Sequence, residues 1–381
     1  MKRSFSWVQR NVSPIAIDFG SRTVRMLQVA QYRGQPTVVA SAERALPPGL
    51  TNPSDIDAAA DEAVTEMLRE GGFSGRDAAT CIGWGQMQIR NLRIPQMPEA
   101  DIGEVIKYEA AERFGMQPDD SEIRFLLAGD VRQGTDVKQE IIAFGASGST
   151  INTHIARLTK LGLRPVGLDA APCAVFRPFE RFLRRDVDAN QVNVFVDMGY
   201  AATRVLVSRG PDMIFFKSIP IGGKKYDEMV SQKLELSLED AAQIRSRLHR
   251  QHVAALTGQE EHIDEDEVVG ENMEQAVIDA LRPSLDQLSK EIGLCLRYCS
   301  VTFRGIRADT VTAVGGDACN QRLLRVLSDS VNVDFEIGKA TRNIAAEGDF
   351  GGSDRRTGQP EWATAMGLAI KPVTIGLEAA S

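Results

Sequence analysis

One segment occurs twice in this sequence, and the duplication limits the chain to folds built from two related halves. The first copy, IAIDFGSRTVRMLQV, begins at Ile15, and the second, VFVDMGYAATRVLVS, begins at Val194. In each copy a run of branched apolar residues ends in Asp, one apolar residue and Gly, and a second apolar strand follows a short turn. The quoted segments cover a strand, a turn and a second strand, and we interpret the repeat as the duplication of one unit of three β-strands, with one copy in each of two lobes.

The bulk composition narrows the class of protein. A length of 381 residues exceeds what one hydrophobic core usually serves, which agrees with two lobes. The net charge of -8 argues against a nucleic-acid binder, and no apolar run approaches the length of about 20 residues that spans a bilayer. Five cysteines, an odd number, do not suggest a disulfide framework. We therefore expect a cytoplasmic α/β protein that binds no nucleic acid.

Changes in the periodicity of apolar residues predict the domain organisation. A strand–helix–strand–strand pattern interrupts the first lobe and is long enough to form a small subdomain. Helical periodicity dominates part of the second lobe, and an acidic stretch there is expected to be a solvated loop. The predicted units are a flexible segment at 1–13, a first lobe at 14–187 with the insertion at about 86–147, a second lobe at 188–372 with a helical subdomain at about 223–300 and the acidic loop at 259–267, and a tail at 373–381.

The two Asp-x-Gly turns are either plain tight hairpins or the two sides of a phosphate site. Glycine and small residues let backbone N–H groups approach a phosphate closely, and carboxylates hold the water shell of Mg²⁺. We predict that the turns face each other across a cleft and bind a triphosphate, with Asp18 and Asp197 orienting the water molecules of Mg²⁺. The predicted phosphate contacts are Gly20, Ser21, Arg22 and Thr23 on one side and Gly199, Tyr200, Ala201, Ala202 and Thr203 on the other.

A third glycine loop, Gly315-Gly316-Asp317, follows a predicted strand and precedes a predicted helix. Glycines at such a place let an adenine ring and its ribose lie flat against the backbone. A lone Gly-Gly pair predicts little more than a turn. Together with two matched Asp-Gly turns, it makes nucleotide binding a much more specific prediction.

The order of these loops resembles the actin-like ATPase superfamily. The segments that carry the resemblance are IDFGSRTVRML, GLDAAPCAVF, VFVDMGYAATRVLV, VTAVGGDACNQRLL and ATAMGLAI, in the order phosphate 1, connector 1, phosphate 2, adenosine loop and connector 2. The inserted subdomain resembles that of the FtsA and PilM branch, and RIPQMPEADIGEVIKYEAAERF and IPIGGKKYDEMVSQKLELSLEDAAQIR bring the chain closest to the PilM family of type IV pilus assembly proteins.

This resemblance implies a two-lobed actin-like fold, a duplicated mixed sheet with flanking helices, that binds ATP and Mg²⁺. It places Gly222 near the phosphates, Arg245 within reach of the ribose, and Asp169 where an attacking water would be positioned. Hydrolysis is then expected to be slow or absent. A small-molecule kinase of the same superfamily and an FtsA-like cell-division scaffold remain open as alternatives, and self-association remains open as well.

The resemblance also implies a partner. Members of the PilM family dock the cytoplasmic N-terminal tail of the inner-membrane protein PilN, so the chain is expected to be peripheral to the inner membrane through that partner. The docking groove would lie between the insertion and its parent lobe, with Ile94, Tyr108 and Phe114 as contacts. The helical spacing of Ile102 and Ile106 indicates that these two pack the core of the insertion.

Overall fold

A computed structural model describes residues 12–32, 35–47, 49–50, 52–133, 136–259, 268–303, 308–346 and 355–371. The expected flexible segment, except for Val12 and Ser13, lies outside the described residues, as do the tail and nearly all of the acidic loop. Val12 and Ser13 pair with β2, the strand that forms the second half of the first repeat, through a bridge to Ala30 and a hydrogen bond to Val29.

The described residues form strands and helices in the alternating order typical of an α/β protein. The strands are β1 Ile15–Phe19, β2 Thr23–Tyr32, β3 Gln35–Ala45, β4 Asp77–Ile82, β5 Gln88–Pro95, β6 Ser121–Gln133, β7 Asp136–Ser147, β8 Arg164–Ala170, β9 Val192–Met198, β10 Thr203–Arg209, β11 Asp212–Ile219, β12 Thr310–Val314, β13 Asp334–Ile337 and β14 Ala345–Ala346. The helices are α1 Pro53–Glu70, α2 Glu99–Phe114, α3 Gly148–Lys160, α4 Ala171–Glu180, α5 Gly223–Leu234, α6 Leu238–Thr257, α7 Glu271–Thr302, α8 Gln321–Val331 and α9 Ala363–Ala369.

Two sheets repeat one topology. The six-stranded sheet of the first lobe has the order β14-β3-β2-β1-β4-β8, and the five-stranded sheet of the second lobe has the order β11-β10-β9-β12-β13. In each sheet three antiparallel strands are followed by strands parallel to the first of them. The duplicated strand-turn-strand unit is therefore the centre of each sheet, which confirms the predicted two-lobed fold.

The insertion in the first lobe is a three-stranded sheet, β5-β7-β6, with α2 packed on it. Its central strand is buried on both faces, which explains its continuous apolar run. Ile141 and Ala143 pack against α2, whereas Ile142 and Phe144 belong to the core that continues into the second lobe. The predicted strand–helix–strand–strand order is confirmed, and the inserted sheet lies between α2 and the second lobe.

A buried polar cluster fixes the insertion to the second lobe. Glu140 of β7 is 1% exposed and accepts hydrogen bonds from Tyr298 Oη of α7 at 2.8 Å and from Arg93 Nε of β5 at 2.6 Å. A buried carboxylate is stable only when its oxygen atoms are paired in this way. Movement between the lobes therefore has to carry or break this cluster.

The end of the described chain returns to the first lobe. Strand β14 pairs with β3, and α9 packs against α4, where a Cβ on Gly367 would lie 1.8 Å from the carbonyl oxygen of Ala174. The expected assignment of all of residues 188–372 to the second lobe therefore does not hold for this part. The physical reason is that a helix of small residues packs closely against another helix wherever a glycine allows contact with its backbone.

None of the helices described here is long and apolar enough to cross a membrane.

Candidate functional site

The two hairpin turns bring Asp18 and Asp197 to one cleft. Each Asp is the penultimate residue of its strand, β1 or β9. Burial raises the pKa of Asp18 to about 6; Arg25 opposes the rise, and the negative charge of Asp197 adds to it. The charges of the two carboxylates thus act on each other. That the two turns face each other around a bound triphosphate stays a prediction.

Each aspartate has an arginine directly opposite on the neighbouring antiparallel strand. Asp18 lies across from Arg25, and Asp197 lies across from Arg204. In the second lobe the two side chains form an ion pair, with Arg204 Nη1 3.1 Å from Asp197 Oδ2. Burial raises the pKa of Asp197, and this ion pair opposes the rise.

Arg204 is held from several sides. Its guanidinium lies 4.6 Å from the ring centre of Trp84, a first-lobe residue, and Trp84 stacks at 4.8 Å on Phe216 of β11. Two glycines make room for the Asp197–Arg204 pair. A Cβ on Gly199 would lie 2.5 Å from Arg204 Nη1, and a Cβ on Gly315 would lie 2.6 Å from Asp197 Oδ1.

A second arginine crosses the cleft in the opposite direction. The guanidinium of Arg22, in the turn of the first lobe, lies 5.4 Å from the ring centre of Tyr200, in the turn of the second lobe. Such contacts contribute about 0.5–1 kcal/mol at exposed sites and more when desolvated. The two turns are thus in contact, and a ligand that enters between them has to displace Arg22 from Tyr200 or bind to the guanidinium of Arg22.

Gly222 supports the second turn from below. A Cβ at Gly222 would lie 2.3 Å from the carbonyl oxygen of Gly199. The N–H groups of Gly223 and Lys224, at the start of α5, donate to the carbonyl oxygens of Gly199 at 3.1 Å and Tyr200 at 2.8 Å. These two N–H groups at the start of α5 therefore already donate hydrogen bonds to the turn.

The third glycine loop adjoins the second turn. Gly315 has a φ of +89°, the left-handed region that favours glycine, and its N–H donates to the carbonyl oxygen of Pro360 at 3.1 Å. Asp317 accepts two hydrogen bonds from Arg245 Nη2, at 2.9 and 3.0 Å. Arg245 also donates to Asp227 Oδ1 at 2.5 Å, so it links the loop to α5 and α6.

Asp169, at the end of β8, is paired with two cations. Arg177 Nη2 lies 2.8 Å from Asp169 Oδ2, and Lys371 Nζ lies 3.2 Å from Asp169 Oδ1. Its side chain also accepts a hydrogen bond from the N–H of Ala170. Both carboxylate oxygen atoms of Asp169 are therefore engaged within the protein. In this arrangement Asp169 links connector 1 to the end of α9.

A family model for the type IV pilus assembly protein PilM matches residues 16–252. The chain belongs to this family. A solved structure of a PilM–PilN type IV pilus biogenesis complex is similar to it, with a TM-score of 0.74, 22% identity, and coverage of 94% of this chain and 99% of that one. The ethanolamine utilization protein EutJ from Carboxydothermus hydrogenoformans is also similar, with a TM-score of 0.51, 13% identity, and coverage of 95% and 90%. The two-lobed actin-like fold of this PilM-family chain is thus shown.

The predicted nucleotide contacts of this PilM-family chain differ in their exposure and in the contacts that they make within the protein. Ser21, Arg22, Tyr200 and Ala201 lie at least partly exposed in the turns, whereas Ala202 and Thr203 are buried beneath them. Asp197, Gly199, Gly222, Gly315 and Arg245 are engaged in contacts within the protein. Their contacts with nucleotide stay predictions.

The Mg²⁺ prediction does not fit this arrangement as it was made. Asp197 is already paired with the guanidinium of Arg204, which lies near enough to Asp18 to lower its pKa as well. No group of three or more His, Cys, Asp or Glu side chains that could hold a metal occurs within the described ranges. A cation of the protein itself is thus already paired with Oδ2 of Asp197.

The partner contacts predicted on the insertion differ in accessibility. Tyr108 is 56% exposed, whereas Ile94 is fully buried in the core beneath α2 together with Ile102 and Ile106. Phe114 is half-buried and closely contacts the position of Gly145. Ile94 is therefore withdrawn as a contact, because no partner reaches a side chain with no exposed surface. The core positions predicted for Ile102 and Ile106 agree with the structure.

Sequence reasoning missed the residues that surround the two aspartates. Arg25 and Arg204 stand seven residues after Asp18 and Asp197 in the two copies of the repeat, a matched spacing that could have identified them. Trp84 carried no comparable signal, because a tryptophan between a strand and an insertion is as readily a core residue.

Proposed function

We propose that this protein is a cytoplasmic ATP-binding scaffold of a type IV pilus or related secretion machine. It would be peripheral to the inner membrane, docked on the cytoplasmic N-terminal tail of a PilN-like bitopic membrane protein in a nucleotide-sensitive way. Membership of the PilM family supports the assembly role, and the similar solved complex contains PilN. The observation that carries the nucleotide part is the meeting of two Asp-Gly turns from separate lobes in one cleft.

Nucleotide would lie between the lobes, and its phosphates would meet the turns Gly20–Thr23 and Gly199–Thr203. Backbone N–H groups in tight turns form concave anion sites, and Arg22 adds a positive charge at the mouth of the cleft. The nucleoside would lie toward the Gly315–Asp317 loop, where a small pocket is lined by residues that include Leu248, His249 and Asn320.

Slow or absent hydrolysis is part of this proposal. Efficient ATP hydrolysis needs a group that positions and activates the attacking water. The two carboxylate oxygen atoms of Asp169 are ion-paired with Arg177 and Lys371, so an attacking water would have to displace one of these cations to reach either oxygen. This supports a binding protein whose two lobes respond to nucleotide rather than a fast ATPase.

The docking surface would be the outer face of α2 and the groove beside it. One face of the inserted sheet is covered by α2 and the other by the second lobe, which leaves the edges of β5 and β6 and the exposed side of α2. An extended tail with one or two apolar side chains suits such an edge and groove. Tyr108 is the large exposed side chain there.

The fixing of the insertion to the second lobe supports nucleotide sensitivity. The Glu140 cluster joins β7 of the insertion to α7 of the second lobe. A ligand that changes the angle between the lobes would therefore strain or shift the docking surface. Coupling of this kind requires that nucleotide bind with different affinity to two conformations that differ in the angle between the lobes.

Binding of a synthetic peptide tests the docking proposal. The peptide carries the N-terminal cytoplasmic tail of the PilN-like protein encoded in the same genome, and its affinity is measured by fluorescence anisotropy. Tyr108→Ala is expected to weaken binding at least about tenfold. Tyr32→Ala is the matched control, because Tyr32 is 55% exposed but lies on the first-lobe sheet; it should change affinity less than about twofold.

Addition of ATP to the same titration tests nucleotide sensitivity, with an expected change in peptide affinity of at least about threefold. Equal affinity of the wild type and Tyr108→Ala would contradict the docking surface. ATP turnover that accelerates strongly with a small-molecule acceptor would favour the kinase alternative.

A further inference from the structure

Arg204 places a positive charge beside Asp197 and near Asp18. Its Nη1 is 3.1 Å from Asp197 Oδ2, and its charge acts on Asp18 as well. The Arg204 side chain is 12% exposed and that of Asp197 14%. Two facing carboxylates repel each other, and a cation between them relieves that repulsion. The protein supplies this cation from its own chain.

The packing around Arg204 holds it in this position. One face of its guanidinium lies on Trp84, whose ring is itself stacked on Phe216. The backbone of Gly199 leaves space for Nη1 that any side chain at that position would fill. Arginine suits such a site because its planar group combines stacking with directional hydrogen bonds.

Arg204 retains hydrogen-bonding capacity for a ligand. Its Nε is buried and has no hydrogen-bond partner in the described part of the chain. A buried donor without an acceptor costs about 1–3 kcal/mol. A phosphate oxygen that reaches this group after a small rearrangement would remove that cost and form a charge-assisted hydrogen bond.

We propose that Arg204 is the resident counter-cation of the Asp18–Asp197 pair and takes the charge role of a divalent metal, so that nucleotide binds this cleft without Mg²⁺. The inference rests on the proposed nucleotide binding. A hydrated Mg²⁺ would have to approach Asp197 against the charge of Arg204 and break an ion pair whose partners are both largely buried. Removing one partner of such a pair is strongly unfavourable.

Nucleotide titration with and without metal tests the proposal. ATP binding to the purified full chain is measured by calorimetry in Mg²⁺ and in EDTA. The wild type should bind with affinities equal within about twofold. Arg204→Gln should lose at least about tenfold in EDTA and recover part of that loss in Mg²⁺, because the bare aspartates then accept the metal. Arg209→Gln, on the far end of the same strand, should behave like the wild type.

Arg204→Lys keeps the positive charge and should still bind ATP in EDTA. This variant tests the proposal if Arg204→Gln does not fold. Wild-type binding that falls at least about tenfold in EDTA overturns the proposal. Loss of the EDTA affinity in Arg204→Lys despite normal folding also counts against a charge role.

A nucleotide-free measurement separates this inference from the proposed function. Electron paramagnetic resonance of Mn²⁺ added to the protein without nucleotide should detect no bound ion in the wild type and one in Arg204→Gln. If the wild type binds no ATP in either buffer, nucleotide binding fails, and this measurement alone decides the role of Arg204. Equal Mn²⁺ binding by both proteins overturns it.

Discussion

The two copies of the repeated hairpin have the same residues at the same spacing and yet differ in their charge pairing. Asp18 faces Arg25 and Asp197 faces Arg204, but only Arg204 forms an ion pair with its aspartate. Arg25 instead pairs with Glu43 at 2.5 Å. The two copies thus differ in the carboxylate with which their arginine forms an ion pair.

The third strand of each sheet explains the difference. Glu43 of β3 lies directly across from Arg25, whereas Ser218 of β11 lies directly across from Arg204. A carboxylate at this position draws the arginine away from the aspartate, and a serine does not. Burial raises the pKa of Asp18 to about 6, opposed by the charge of Arg25 without an ion pair between the two side chains. Burial also raises the pKa of Asp197, but there an ion pair with Arg204 opposes the rise. The first lobe therefore holds an aspartate with a pKa of about 6, and the second lobe holds an aspartate in an ion pair with Arg204.

Loss of the Asp197 charge should produce the largest effect. Asp197→Asn leaves the buried guanidinium of Arg204 without its ion-pair partner, and we expect the free energy of unfolding at pH 7 to fall by about 3–5 kcal/mol. Chemical denaturation measures this value. Asp18→Asn, the same change in the other copy, is the control and should not destabilise. Equal losses in the two variants would mean that the copies are equivalent.

The second largest expected effect is the pH-dependent change in the free energy of unfolding that Asp18→Asn causes. The pKa of Asp18 is raised from 3.8 to about 6, so the folded protein holds this proton more tightly than the unfolded chain. The stabilising contribution is complete below pH 3.8 and is lost as the pH rises through about 6. Asn does not ionise, so Asp18→Asn does not lose this stability as the pH rises. Relative to the wild type, we expect its free energy of unfolding to be unchanged near pH 3.8 and higher by up to about 3 kcal/mol above pH 6.

Denaturation curves of the wild type and Asp18→Asn from pH 4 to 7.5 test this expectation. Asp77→Asn is a suitable control, because an ion pair with Arg164 lowers the pKa of this surface carboxyl, and its variant should show no such gain. A flat difference between the wild type and Asp18→Asn would mean that Asp18 titrates normally.

Much of the architecture could be predicted because it depends on local pattern. Apolar alternation and two matched turns were enough to predict one copy of the same three-strand unit in each lobe, and helical spacing placed Ile102 and Ile106 in a core. The return of α9 to the first lobe was missed, since it depends on close contact between Gly367 and Ala174, far apart in sequence. The burial of Ile94 was missed because an edge strand flanked by prolines is typical of exposed strands as well.

The asymmetry between the two aspartates could not be predicted for a geometric reason. A register shift interrupts each pair of second and third strands, between Gln28 and Val29 in one lobe and between Val207 and Ser208 in the other. Each shift moves the facing residue by one position and turns opposite side chains to the other face. Without a known bulge, spacing alone does not place Glu43 opposite Arg25.

Exchange of the third-strand residues should give the smallest effect and the most direct test of the comparison. In a Glu43→Ser background Arg25 is free to pair with Asp18, so the gain from Asp18→Asn should shrink by about 1.4 kcal/mol, which corresponds to one pKa unit. In a Ser218→Glu background Arg204 is drawn from Asp197, so the loss from Asp197→Asn should shrink by a similar amount. Double-mutant cycles measure both couplings. Glu122→Ser, which breaks the Glu122–Arg124 ion pair on β6, should leave both unchanged, and coupling energies near zero in the two exchange backgrounds would show that the third strand does not set the pairing.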